Sequence, residues 1–154
     1  MGLLDFELGD PPNVAGWPPY YQAPQYDQSW ITTATITTRA ITTDSMIFWG
    51  FWISQDLQLK ADLIEFVKNL DDPSNPVSLL TESAMLTLGL ELSEIELSNL
   101  KSVLLTGQET DAYWTMAWDA YTNEPASIEY KSIVQTRLQS TFQRLLQLGE
   151  YQLM

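Results

Sequence analysis

Residues 126–148 read ASIEYKSIVQTRLQSTFQRLLQL, and the fold class turns on that stretch. Tyr130, Val134, Leu138, Phe142, Leu145 and Leu146 recur at intervals of three and four, the period that puts side chains on one face of an α-helix. Gly149 stands where such a helix would stop. A helix of that length with a single apolar stripe needs other elements to cover the stripe, so the neighbouring sequence should supply more helices.

Working back from it, residues 110–121 place Tyr113, Trp114, Ala117, Trp118 and Tyr121 on adjoining helical turns, a stripe whose first role is core packing. Ser93-Glu94-Ile95-Glu96 is a capping box: the Ser93 hydroxyl can take a backbone N–H while Glu96 reaches back to the cap residue. Leu97, Leu100, Val103 and Leu104 then bury, and Gly107 ends that helix. Asn75 as N-cap and Pro76 at the first helical position open a shorter helix through Leu79, Leu80, Ser83 and Leu86 to Gly89. From Asp56 to Leu70 the residues Leu59, Leu63, Ile64, Phe66, Val67 and Leu70 predict one further helix, closed by Asp71-Asp72-Pro73. Between Trp30 and Thr43 the string ITTATITTRAITT favours strand by propensity. Its spacing of Ile31, Ala34, Thr35, Thr38, Ile41 and Thr42 is helical, and helix is the reading adopted.

Residues 1–29 differ in kind. Five of the eight prolines, at 11, 12, 18, 19 and 24, fix φ and push the preceding residue out of the α region. The expectation is therefore a single all-α domain of five or six helices over residues 30–154, with an irregular Pro- and aromatic-rich arm, residues 1–29, packed across it. No internal repeat or low-complexity tract interrupts it.

Composition narrows the chemistry. At 154 residues and 45% hydrophobic the chain has the material for one core. Seven basic against twenty acidic residues give a net charge of −13, a field that repels phosphate backbones and anionic lipid. Neither nucleic acid nor membrane is an expected partner. With no Cys and no His, thiol nucleophiles, Ser-His triads and the usual zinc ligand sets are excluded. The seven glycines form no phosphate-cradling loop, and no cofactor is expected. The acidic start, Met1 to Glu7, has no basic n-region. The densest apolar run, Met46 to Ile53, is too short to span a bilayer. Neither a signal peptide nor a transmembrane segment is expected, and the compartment stays open.

Three constellations invite a functional reading. Trp17, Tyr20, Tyr21, Tyr26 and Trp30 lie within fourteen residues of mostly irregular backbone. Rings so placed can stack on sugar faces or dock a protein, or simply pin the arm to the helices. Glu109, Asp111 and Asp119, near Trp114 and Trp118, are the first candidates for a hydrolytic carboxylate pair. Acids at such positions also favour the first turn of a helix and face solvent. Asp71-Asp72-Pro73-Ser74-Asn75 offers oxygen ligands in a turn but lacks the ligand spacing of a calcium loop, and an Asn-capped interhelix turn explains it.

The string Pro11-Pro12-Asn13-Val14-Ala15-Gly16-Trp17-Pro18, followed by Trp30-Ile31 and Arg39, resembles the signature near the C-terminus of a bacterial family, domain of unknown function 1800 (DUF1800). Leu145-Leu146-Gln147-Leu148-Gly149-Glu150-Tyr151 is similar to that family's closing helix and its Pro-Glu-aromatic ending, with Gly149 where the family has Pro. The resemblance implies the C-terminal part of a longer, largely helical protein without an established activity, its partner another protein or the rest of that longer chain. The resulting expectation is a non-catalytic structural or interaction module of a larger bacterial protein. Glycan binding through the arm's aromatics is the alternative, and carboxylate-based hydrolysis the weaker one.

Overall fold

A computed structural model describes residues 33–152. The proposed arm, residues 1–29, lies outside them. Among the described residues the chain is helical apart from one hairpin, in the order α1 (Thr33–Phe48), β1 (Phe51–Ser54), β2 (Leu57–Leu59), α2 (Leu63–Lys68), α3 (Pro76–Leu88), α4 (Glu94–Leu104), α5 (Ala112–Asn123), α6 (Ile128–Leu146) and the single turn α7 (Gly149–Gln152).

Helix α6 is the axis of the domain. Its Val134, Leu138, Thr141, Phe142 and Leu145 are buried, and it packs against α1, α2, α4, α5 and α7. The Phe66 ring of α2 meets Phe142 edge-on at 5.5 Å, a favoured aromatic geometry. Ser127 caps the helix by accepting from the Tyr130 N–H. Its C-cap is Gln147, not Gly149, which opens α7 instead.

Helix α1 forms despite its threonines because their hydroxyls return to the carbonyls one turn back: Thr42 Oγ1 donates to Thr38 O at 2.7 Å and Thr43 Oγ1 to Ala40 O at 2.9 Å. Thr35, Thr43 and Ile47 face inward, whereas Ile41 is exposed. Three glutamines at i, i+4 and i+8 of α6 bind this helix. Gln139 Nε2 donates to Ile47 O, while Gln143 Nε2 and Gln147 Nε2 donate to the two Asp44 carboxylate oxygens at 2.8 and 3.0 Å.

Asn75 and Pro76 open α3 as their chemistry requires, and Gly89, with φ +66°, closes it. Its inward stripe is Leu79, Leu80, Ser83, Ala84 and Leu88, while Leu86 is exposed. The capping box at Ser93 and Glu96 is complete. Trp114 is fully buried on α5, stacked 5.7 Å from Trp118, and its Nε1–H donates to Pro73 O at 2.8 Å. Thr115 Oγ1 donates to the next carbonyl, Ser74 O. The acidic turn at 71–75 is thus latched to α5 by its backbone.

One expected helix is replaced. Residues 56–70 are not continuous: Asp56 lies in the turn of a β-hairpin, Leu57–Leu59 is its second strand, and only Leu63–Lys68 is helical. Asp62, whose side chain accepts from the Glu65 N–H, is the true N-cap of α2. The preceding Gly50 has φ +83°, and a Cβ there would stand 2.9 Å from Leu59 O. That conformation and that contact turn the chain out of α1 into β1.

Candidate functional site

Between Asp44 and Lys60 the sequence carries one charge, Asp56, in a chain of net −13. This uncharged segment forms the end of α1 and the hairpin. Trp49 N and Gly50 N both donate to Ser45 O, Ala61 N donates to Met46 O, and Gln58 Nε2 donates to Trp49 O at 2.6 Å. The base of the hairpin is therefore tied to α1, while its strands reach outward.

Phe51 pairs with Leu59 and Trp52 with Gln58; the register then shifts at Ile53, and Ser54 pairs with Leu57. Opposed residues share a face and neighbours alternate, so apolar groups stand on both faces and neither is a core face. Trp49 is 68% exposed, Trp52 67%, Ile53 63%, Leu57 55% and Leu59 48%. Phe51 is half-buried and Phe48 packs on the core, its ring 5.6 Å from that of Trp49. Single exposed apolar residues are ordinary on a protein surface. Five large ones within eleven residues of one projecting hairpin make a patch of the kind that marks an interaction site.

At the foot of β2 a cleft of about 270 Å³ opens between α2 and α6, lined among others by Lys60, Ile47, Lys131, Gln135 and Gln139. Lys60 and Lys131 make no ion pair among the described residues, unlike Lys68 with Glu65 and Lys101 with Asp111. The hairpin thus has an acidic tip and an apolar body, and at its foot Lys60 shares the cleft with Asp62 as well as Lys131.

The candidate ligand residues Trp17, Tyr20, Tyr21, Tyr26 and Trp30 lie outside the described residues. Of the acids considered for hydrolysis, Asp111 is 2.7 Å from Lys101 Nζ, at the start of α5, while Glu109 and Asp119 are exposed. In the 71–75 turn Ser74 Oγ donates to Asp72 Oδ1, Asn75 caps α3 and the Asp71 N–H donates to Glu82 Oε2. Among the described residues no group of three acidic side chains is arranged to hold a metal ion, and no helix is long and apolar enough to cross a membrane.

The hairpin departs from the sequence expectation, in which Met46–Ile53 is an apolar run too short for a membrane span and Leu57 and Leu59 fall within the helix of residues 56–70. The available signal was Gly50 before an uncharged aromatic run, followed by a Leu-Gln-Leu alternation. Compared with protein-family models, curated proteins and solved structures, the chain matches none.

Proposed function

We propose that this chain is a non-catalytic interaction module and that the hairpin of residues 49–59 is its contact element. The observation that carries the reading is the set Trp49, Trp52, Ile53, Leu57 and Leu59, exposed together on an element that contributes little to the core. Burying such rings against a partner releases water from large apolar area at small rotamer cost. The resemblance of residues 11–18 and 145–151 to DUF1800 supports placing the module in the C-terminal part of a longer bacterial protein.

Hydroxyl-radical footprinting tests the contact element. At concentrations where the protein sediments as a monomer, Trp49 and Trp52 should be oxidised rapidly and Trp114 and Trp118 should be protected. A Trp52→Ser/Ile53→Ser variant should lose most of the binding of an apolar dye such as bis-ANS while keeping its melting temperature. If Trp52 in the monomer were as protected as Trp114, the hairpin would be covered and the reading would fall.

A further inference from the structure

The hairpin is an unfinished sheet, and its edges, its two faces and its charge together define what would complete it, an inference that rests on the contact-element reading above. Among the described residues β1 and β2 pair only with each other. A two-stranded hairpin is marginal in water on its own, and a third strand stabilises it. In an antiparallel pair every second residue turns its N–H and C=O away from its partner. Those groups of β1 have no backbone partner among the described residues, because no ladder outside the hairpin reaches Phe51–Ser54.

Of the two edges, that of β1 is the more open to pairing. Strand β2 is bracketed by Asp56 and Lys60, charges that discourage an added strand, whereas β1, Phe-Trp-Ile-Ser, has neither charge nor proline and is exposed from Trp52 to Ser54. The two apolar faces favour the edge as well. A surface laid on one face leaves the other wet, but a strand added at the edge sets its alternate side chains beside both faces at once. The bulge at Ile53 limits the new ladder to a few hydrogen bonds, so the contact is small and belongs to the weak, exchanging class.

Charge then sets the chemistry of the occupant. A chain of net −13 repels acidic segments and copies of itself, and it attracts Lys and Arg. Asp56, the hairpin's one acid, is exposed in the turn just beyond Ser54, where the end of an added strand would lie. A bilayer suits the same rings less well. Entering it would carry the Asp56 carboxylate in first and leave the open edge of β1 in hydrocarbon, where unpaired backbone groups find no partner. A protein strand meets both needs, with a cation for the carboxylate and a ladder for the edge.

We propose that the outer edge of β1 takes an extended segment of another protein as a third strand, apolar at alternate positions and carrying Lys or Arg at the end beside Asp56. Selection of random short peptides displayed on phage, against the full chain, tests it. The enriched peptides should be basic, rich in β-branched and aromatic residues and without internal proline. Made synthetically, they should slow hydrogen exchange of the β1 amides at least about tenfold. Methylating one alternate set of peptide amides should abolish binding, and methylating the other should spare it. Trp52→Ser/Ile53→Ser should weaken binding at least about tenfold, and Asp56→Lys about threefold or more. All three positions are exposed, and circular dichroism melts of each variant check that the fold is kept.

Each contrary result has its own meaning. If Trp52 is open to footprinting but no hairpin-dependent peptide is selected, or the selected peptides are acidic or indifferent to both methylations, the third strand is overturned and the contact element stands. Binding to phosphatidylcholine vesicles that Trp52→Ser/Ile53→Ser abolishes would overturn it in favour of a bilayer, and self-association abolished by the same variant in favour of a second copy. A monomer with Trp52 protected removes both readings.

Discussion

At Ser93 one hydroxyl makes two bonds of opposite sense: it accepts from the Glu96 backbone N–H at 3.3 Å and donates to Glu96 Oε2 at 2.7 Å. That hydroxyl, and after it the Ser93 backbone N–H, hold the Glu96 carboxyl below its ordinary value of 4.5. Because the folded value is depressed, this stabilisation is fully present above about pH 4.5 and fades as pH falls through the lowered value. Ser93→Ala should cost about 1 kcal/mol at neutral pH. In urea titrations the gap from the wild type should narrow at about pH 3, and a gap unchanged between the two pH values would remove the Glu96 contribution. Ser83 is the opposite case. It is fully buried on α3 and its Oγ has no hydrogen-bond partner among the described residues, so the hydroxyl keeps a desolvation cost with no return. Ser83→Ala should leave stability unchanged or raise it by up to about 1 kcal/mol, and a loss of more than that in the same titration would show that the hydroxyl is bonded after all.

Among the elements, the helices were legible wherever a local cap agreed with a stripe. Asn75-Pro76, the Ser93 box and the Tyr130–Leu145 stripe carry their own start signals or period, and the structure has them within a few residues. The hairpin was not legible, because Leu59 and Leu63 lie four apart and so mimic a helical stripe across a turn and an N-cap. What separates them is Gly50, whose left-handed φ and close approach to Leu59 O, nine residues on, leave no mark on the hydrophobic period. Nor could burial within α1 be read locally, since the helix it packs against, α6, lies about a hundred residues away in sequence, where Gln143 and the C-cap Gln147 hold Asp44. The site was missed for the same reason as the element that bears it: an apolar strand outside the core looks, in sequence, like one inside it. Gly50→Ala meets both a left-handed φ and a backbone oxygen at 2.9 Å. It should destabilise by more than about 1 kcal/mol, with amide hydrogen exchange rising first across 51–60. Faster exchange spread evenly over α6 would instead mean that the hairpin and the core unfold as one.

For the whole molecule, the imbalance of twenty acids over seven bases dominates the long-range field, and the two side-chain ion pairs among the described residues are exposed enough to offset little of it. In a domain of this length charges on opposite sides lie about 30–40 Å apart, so at 0.01 M salt, where the Debye length is about 30 Å, they still repel one another, and at 0.15 M, where it is about 8 Å, they scarcely do. The exposed ion pairs weaken with salt too, but each is worth at most about 1 kcal/mol. Added salt should therefore raise the melting temperature, which calorimetry between about 0.01 and 0.15 M NaCl measures. A melting temperature that falls as salt is added would mean that ion pairs stabilise the fold more than its net charge opposes it.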